Sequence, residues 1–146
     1  MLRIAIGSDH GGFEQKELVK EHLQEKGYEV VDVGTHSLDS CHYPIYGAEV
    51  AKLVSKKECD YGIVICTSGE GICIAANKVK GVRCGIGYND EVSILMRQHN
   101  DANVIAFGAK FMDTNDVIRR VDLFLNTQFE GGRHQTRVDL ISSLEK

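Results

Sequence analysis

Short apolar runs rich in valine and isoleucine alternate with amphipathic stretches until the C-terminal third of the chain. Five such runs are present, at residues 4–6, 30–33, 63–65, 82–86 and 104–107. Runs of this length are typical of strands that are buried on both faces of a parallel sheet, with helices in the segments between them. The pattern therefore predicts a sheet of five parallel strands.

Two of the amphipathic stretches predict helices from the spacing of their apolar side chains. The first is followed by Gly27 as a stop signal, and its face is formed by Phe13, Leu18, Val19, His22 and Leu23. The second is preceded by Asp113 and Thr114 as candidate caps, and its face is formed by Val117, Ile118, Val121, Phe124 and Leu125. Together with the strands, these helices predict a three-layer α/β/α, Rossmann-like fold.

The chain has the length and composition of one globular domain. Its 146 residues are 42% hydrophobic and 26% charged, a balance that excludes a disordered or fibrous protein. Its single proline, Pro44, and the polar stretch 35–42 mark one long connection, and no proline-rich or serine-rich linker divides the sequence. We therefore predict a single domain over residues 1–146.

The charge balance argues against nucleic acid and membranes as partners. The chain has 17 Lys and Arg residues against 21 Asp and Glu residues, so its net charge of -4 repels polyanions. No apolar run approaches the roughly 20 residues of a membrane span, and no cleavable signal pattern follows Met1. We expect a cytoplasmic protein.

The five cysteines are an odd number and have no C-x-x-C spacing. This usage indicates reduced thiols rather than a disulfide framework or a zinc site built from these cysteines.

A glycine or a small polar residue follows nearly every predicted strand. These strand ends are at residues 7–12, 34–35, 66–69, 87–90 and 108–110. In an open parallel sheet the carboxyl ends of the strands line up along one edge, where ligands bind. We therefore expect the functional side chains to lie at this edge.

The most informative strand end is the glycine-rich turn at residues 66–71, which precedes a predicted helix at 74–78. Such a turn aims backbone N–H groups and the helix dipole at one point, which suits a phosphate or a developing oxyanion. The same field favours a thiolate, so Cys66 is a candidate base or nucleophile. Alternatively, Cys66 packs as a small apolar side chain and the glycines only permit a tight turn. The Walker pattern and G-x-G-x-x-G are both absent, which weakens the case for nucleotide binding.

Two further groups have both a chemical and a structural interpretation. Asp9 and His10 follow the first predicted strand, where they suit hydroxyl binding, phosphate binding or proton transfer, unless Asp9 only caps the next helix and His10 is solvated. His99 ends an amphipathic stretch, where the negative end of a helix favours the imidazolium form of an acid. A histidine at that position can equally cap carbonyl groups.

Arg133 and Arg137 form a local cation cluster in an acidic chain, with His134 beside them. If a helix begins near Arg133, their i, i+4 spacing puts both guanidinium groups on one face, where they could clamp a phosphate. The alternative is a solvated helix face in which the arginines pair with Glu130 or Asp139.

In this order and together, these groups resemble the type B ribose-5-phosphate isomerase family, which includes galactose-6-phosphate and allose-6-phosphate isomerases. The motifs that carry the resemblance are GSDHGGF at 7–13, YEVVDVGT at 28–35, YP at 43–44, CTSGEGICIAANK at 66–78, RQHNDANVIAFG at 97–108 and EGGRHQTRV at 130–138. They extend over nearly the whole chain.

The resemblance implies an aldose–ketose isomerase of pentose phosphate metabolism that works through an enediolate, without a metal or another cofactor. His99 would open the sugar ring, Asp9 would help to hold the hydroxyl groups, and Cys66 would move the proton between C2 and C1. The enediolate would be stabilised by the turn Thr67, Ser68, Gly69, Glu70 and Gly71, including the Ser68 hydroxyl. The phosphate would be held by Arg133, Arg137, His10, Lys110 and His134.

The resemblance also implies a homodimer, or a tetramer of two dimers, with the active site shared between subunits. His99 and Asn100 would reach the site from the partner chain.

Several positions depart from the family pattern. Ser68 stands where many relatives have threonine, and Lys110 stands where arginine is frequent. Glu70 replaces a common apolar residue, and we expect it to point outward at the helix N-terminus that favours it. Some relatives lack the cysteine and carry a glutamate at the position of Ile72, so the isoleucine here leaves Cys66 as the candidate base.

Two other functions stay open on the sequence. His42 and the HYPIYG run at 42–47 resemble the hexose-phosphate members, so isomerisation of a six-carbon sugar phosphate such as allose or galactose 6-phosphate is the alternative. A non-catalytic phosphosugar-binding protein is the third hypothesis, supported only by Glu70 and Lys110.

Overall fold

A computed structural model describes residues 1–145 and contains five strands and six helices in that range. The strands β1–β5 are Arg3–Ser8, Glu29–Asp32, Tyr61–Cys66, Cys84–Ile86 and Val104–Gly108. The helices α1–α6 are Phe13–Glu25, Tyr43–Ser55, Glu70–Asn77, Asp90–Gln98, Thr114–Leu125 and Arg133–Ser142. A short 3₁₀ turn at His10–Gly12 precedes α1.

The five strands form one parallel sheet in the order β2-β1-β3-β5-β4. Neighbouring side chains of β1 point to opposite faces of the sheet, because side chains alternate along a strand. Ile4 and Ile6 pack in the layer formed by α1, α4 and α5. Ala5 packs in the layer formed by α2 and α3. The predicted α/β/α fold with a five-stranded parallel sheet is confirmed.

The two helices predicted from periodicity are confirmed as α1 and α5. Gly27, with φ +90°, lies just beyond the C-terminal end of α1, and the Asp113 side chain caps α5 by accepting from Asn115 N–H at 3.4 Å. The strand predicted over 82–86 begins two residues too early. Val82 N–H donates to Val79 C=O at 3.2 Å in a turn, and pairing with β5 begins at Cys84. No helix in the described part of the chain is long and apolar enough to cross a membrane.

Helix α2 is not among the helices predicted from the sequence, and it contains the single proline of the chain in its first turn. Proline is compatible with this position because a first-turn N–H has no partner within the helix. The buried face is formed by Gly47, Val50, Ala51 and Val54. This face covers β1 and β3.

Lys16 of α1 is fully buried and links this helix to the end of β2. Its Nζ lies 2.7 Å from Asp32 Oδ2 and 2.7 Å from Glu17 Oε2, and Lys20 Nζ lies 2.9 Å from the same oxygen of Asp32. Burial raises the pKa of Asp32, but hydrogen bonds from Lys16, Lys20 and the Gly34 N–H outweigh it and hold this pKa below its ordinary value.

The substitution Asp32→Asn is expected to lower the free energy of unfolding by about 3 kcal/mol at pH 7, because the buried Lys16 loses the more buried of its two carboxylate partners. Since folding lowers the pKa of Asp32, its contribution is complete above the unfolded value of about 3.9 and is lost as pH falls through the folded value. Denaturant-unfolding curves recorded from neutral to acid pH measure both the loss of stability at pH 7 and its dependence on pH.

Glu17→Gln is the matched control, because Glu17 contacts the same lysine but its side chain is 41% exposed. It should cost less than about 1 kcal/mol. Equal losses for the two variants, or a difference between Asp32→Asn and wild type that does not shrink in acid, would contradict this account of the buried pair.

Candidate active site

Two turns meet at the carboxyl edge of the sheet, where β1 and β3 end side by side. Asp9 N–H donates to Ile65 C=O at 3.3 Å, and a Cβ added at Gly11 would collide with Thr67 Oγ1. The chain leaves β1 toward β2 on one side, and β3 lies on the other side. Ligands of open α/β sheets bind at such a reversal of strand order.

Cys66 is the last residue of β3 and is only 4% exposed. Its Sγ accepts a hydrogen bond from Gly69 N–H at 3.2 Å. Gly69 has φ +84° and caps α3, so the chain folds back over the sulfur within three residues. The sulfur therefore lies directly beneath the turn that begins α3, and a cysteine reacts through its thiolate form.

The turn between Cys66 and α3 presents the donors expected of an anion site. Thr67 and Ser68 are exposed, and Ser68 Oγ accepts from Glu70 N–H at 3.2 Å. N–H groups in the first turn of a helix have no partner within the helix and carry its positive partial charge. Glu70 is itself exposed, as expected from the sequence.

The substitution Gly69→Ala is expected to lower kcat on the order of 10²-fold, because it displaces the turn from the sulfur. A Cβ at Gly69 would lie 2.9 Å from the carbonyl carbon of Phe107, whose backbone is fixed in β5. Gly81→Ala is the matched control: it has the same φ of +84°, but its Cβ would approach only Ser55 Oγ at 3.4 Å.

Both variants carry the cost of a left-handed alanine, about 1 kcal/mol. Only Gly69→Ala should lose turnover when stability and kcat are measured in parallel. A similar loss of turnover in Gly81→Ala would contradict a specific role for the turn.

Asp9 and His10 lie beside this turn, and each has one structural contact. Asp9 is 6% exposed, and its Oδ1 accepts from Gly12 N–H at 3.2 Å, so the capping role considered from the sequence is present. His10 is partly buried, and its Nδ1 accepts from Cys41 N–H at 3.2 Å, which leaves Nε2 as the proton-bearing nitrogen of the neutral ring.

Lys110 and Tyr43 complete the same edge. Lys110 follows β5, and its N–H donates to Thr67 C=O at 3.1 Å, which places the exposed lysine next to the turn. The ring of Tyr43 lies against Gly71 so closely that a Cβ there would be 2.6 Å from Cε1 and 2.9 Å from the hydroxyl. No local sequence pattern marks Tyr43 as a site residue, although it belongs to the YP motif at 43–44.

His99 lies at the opposite, amino edge of the sheet. It lies at the C-terminal end of α4, as predicted, where its backbone N–H donates to Leu95 C=O at 2.8 Å. Helix α4 returns the chain from the end of β4 to the start of β5. Two residues before it, Arg97 donates to the hydroxyl of Tyr61, the first residue of β3, at 3.2 Å. Asn100 is exposed beside His99, and its carbonyl accepts from Arg83 Nε at 3.1 Å.

The cationic cluster of α6 joins His99 at this amino edge. Glu130 N–H donates to Gln98 C=O at 3.1 Å, and the imidazole rings of His99 and His134 stack with centroids 4.2 Å apart. Helix α6 begins at Arg133, so Arg133 and Arg137 lie one helical turn apart, as a joint phosphate contact requires. Burial and the nearby His99 and Arg133 hold the pKa of His134 below its ordinary value, which favours its neutral form.

Arg133 and Arg137 are both exposed on α6. Among residues 1–145 neither forms an ion pair, whereas Glu130 lies near His134 and Asp139 accepts from Gln135. Of the alternative interpretation, the solvated helix face is present, but the ion pairs with Glu130 and Asp139 are not found among residues 1–145. The two guanidinium groups are available to an anion.

The sequence-predicted residues thus form two groups within one chain. Asp9, His10, Cys66, the turn 67–71 and Lys110 lie at the carboxyl edge, and His99, Asn100, Arg133, His134 and Arg137 lie at the amino edge. The two edges are about 16 Å apart, the length of the six-residue strand β3.

Comparisons with known proteins place this arrangement in a family. The model of the family described as Ribose/Galactose Isomerase matches residues 4–141. The chain belongs to the ribose/galactose isomerase family. Ribose-5-phosphate isomerase B of Escherichia coli (strain K12) is 45% identical over 146 residues, which cover 100% of this chain and 98% of that protein.

Two solved members of the ribose/galactose isomerase family have the same fold. Ribose-5-phosphate isomerase B of Clostridium thermocellum is 46% identical, with a TM-score of 0.98 over 99% of this chain and 97% of that chain. Ribose-5-phosphate isomerase B of Mycoplasma genitalium, solved with bound ribulose-5-phosphate, is 43% identical, with a TM-score of 0.95 over 98% of this chain and 95% of that chain. The family resemblance found in the sequence motifs is confirmed.

Proposed function

We propose that this chain is an aldose–ketose isomerase that interconverts ribose 5-phosphate and ribulose 5-phosphate. The observation that carries the proposal is a buried cysteine held by a backbone donor at an anion-binding turn, in a chain 45% identical to a ribose-5-phosphate isomerase B. These are the groups required to move a proton on carbon and to stabilise the resulting negative charge.

In the proposed reaction the Cys66 thiolate removes the proton from C2 of the open-chain aldose. The electron pair forms a double bond between C1 and C2, and negative charge gathers on O1, where the Thr67–Gly71 turn and the Ser68 hydroxyl donate hydrogen bonds. Return of the proton to C1, with the O2 proton moving to O1, leaves the carbonyl at C2. Asp9 holds the hydroxyl groups, and His99 protonates the ring oxygen when the sugar opens.

The phosphate is bound by cations from both edges of the sheet. Arg133 and Arg137 are exposed, unpaired within the described chain and spaced by one helical turn, which suits bidentate contacts to phosphate oxygens. Lys110 and His10 approach from the carboxyl edge, and His134 supplies a further ring N–H. Binding energy at the phosphate orients the carbon chain against Cys66.

Because the two edges of one chain are separated by the length of β3, a complete site needs a second copy of this chain. We infer a homodimer in which the amino edge of each subunit faces the carboxyl edge of the other, a contact that a two-fold axis repeats twice. Three exposed apolar side chains on or beside α6 favour burial against such a partner: Leu140, Ile141 and Leu144.

An NMR time course tests the reaction. The purified chain is incubated with ribose 5-phosphate in deuterated water containing a chelator, and ribulose 5-phosphate formation and deuterium incorporation on carbon are followed together. We expect both, because the proposed proton transfer uses only side chains and backbone. The absence of product and of exchange would contradict the proposal.

The same assay separates pentose from hexose substrates. The named relatives favour ribose 5-phosphate over the six-carbon alternative suggested by His42. We expect kcat/KM to be highest for ribose 5-phosphate when it is compared with the 6-phosphates of allose and galactose, since that ratio measures specificity.

A further inference from the structure

Three side chains at the amino edge bring candidate metal-ligand atoms close together. The ligand atoms of His99, Glu130 and His134 all lie within 4.8 Å of one another. Glu130 Oε1 is 3.5 Å from Nε2 of His134 and 3.9 Å from Nε2 of His99. Two imidazoles and one carboxylate form a donor set that Zn²⁺ prefers.

One of these separations fits a bound metal, and neither is a short hydrogen bond. A hydrogen bond from a ring N–H to a carboxylate is about 2.7–3.2 Å long, shorter than both observed separations. Two ligand atoms bound to a tetrahedral Zn²⁺ at about 2.1 Å are about 3.4 Å apart. The separation of Glu130 and His134 therefore already matches one edge of a zinc tetrahedron.

The backbone holds two of the three ligands in place. Glu130 is tied to the end of α4 by the hydrogen bond from its N–H to Gln98 C=O at 3.1 Å. The left-handed Gly131 and Gly132, with φ +71° and +57°, turn the chain into α6, where His134 is 7% exposed. The side chain of His99 is 40% exposed, and metal binding requires its ring to turn out of the stack on His134 to close the third position.

We propose that His99, Glu130 and His134 bind one Zn²⁺ and that this binding inhibits the enzyme. Three protein ligands leave the fourth tetrahedral position open to water. A metal-bound His99 cannot protonate the ring oxygen of the sugar, so ring opening stops while the metal is bound. Zinc binding stands on the geometry alone, whereas the inhibition rests on the proposed isomerase function.

Zinc binding is tested by isothermal titration of the full-length, chelator-treated protein in a buffer free of phosphate and sugar. Wild type is expected to bind one Zn²⁺ per chain, and Glu130→Gln should weaken the affinity at least about tenfold, because a carboxylate ligand is replaced by an amide. Glu49→Gln is the matched control, since its side chain is 54% exposed against 50% for Glu130, and it should bind like wild type.

A cobalt spectrum excludes the five thiols as the source of the signal. Co²⁺ bound at the proposed site should show no thiolate-to-cobalt charge-transfer band. Failure of wild type to bind Zn²⁺, equal affinities for Glu130→Gln and Glu49→Gln, or a thiolate band would overturn the site.

Inhibition is then measured with ribose 5-phosphate, each variant being compared with its own metal-free activity. Zn²⁺ should inhibit wild type and Glu49→Gln reversibly, with activity restored by chelator, and at least about tenfold more Zn²⁺ should be needed for Glu130→Gln. Full activity with zinc bound would overturn the inhibition. If metal-free wild type has no isomerase activity, the proposed function fails, but the titration still decides the metal site.

Discussion

Replacing Cys66 with alanine is expected to lower kcat on the order of 10³-fold, because loss of a general base of this kind costs about 10²–10⁴ in rate. Cys66 is the cysteine whose sulfur accepts from the N–H of the glycine turn, at 3.2 Å from Gly69. The proton on carbon is the hardest to move, so loss of the thiolate is expected to have a large effect on turnover.

The effect should fall on kcat and leave KM nearly unchanged. The phosphate is held by groups on Lys110, His10 and α6, so removal of the sulfur leaves most of the binding energy in place. A mutation that removes an interaction made in the transition state lowers kcat and kcat/KM together. Deuterium incorporation on carbon should fall in parallel with turnover, because both depend on the same proton transfer.

Cys59→Ala is the control that separates chemistry from packing. Cys59 is 3% exposed and Cys66 is 4% exposed, so both variants remove a thiol from the same apolar layer. Similar melting temperatures with turnover lost only in Cys66→Ala are expected. Near-normal turnover in Cys66→Ala would contradict its assignment as the base.

The carboxyl-edge half of the site could be predicted from the sequence because it follows from local rules. Parallel strands end at a common edge, so residues 7–12 and 66–71 had to approach one another once both runs were recognised as strands. The turn at Gly69 before α3 could likewise be predicted, since a left-handed backbone conformation at such a turn favours glycine.

Other features depend on contacts that no local pattern encodes. Lys16 is an ordinary polar position in the sequence of α1, and only the arrival of Asp32 from β2 makes its burial possible. Tyr43 reaches the site through α2, a helix that the apolar periodicity of the sequence does not predict. The stacking of His99 on His134 joins segments 35 positions apart in the sequence. The two histidines lie at the edge opposite Cys66 because α4 returns the chain to the amino edge of the sheet.

The division of the site between two edges leads to the second expected result. Cys66→Ala and His99→Ala should each be nearly inactive alone, and mixing them under conditions that exchange subunits should restore about one quarter of wild-type activity. Random exchange makes half of the dimers hybrids, and each hybrid contains one site with both substitutions and one site with neither. A site contained within one chain would regain nothing.

The reverse experiment predicts a loss instead of a gain. A chain with both substitutions, mixed with an equal amount of wild type, should remove about half of the wild-type activity after exchange. In every hybrid dimer one site lacks Cys66 and the other lacks His99. The wild-type subunits in hybrid dimers are therefore inactive. Sites contained within one chain would keep their full activity in the same mixture. Recovery in the first mixture together with loss in the second can arise only if each site draws Cys66 from one subunit and His99 from the other.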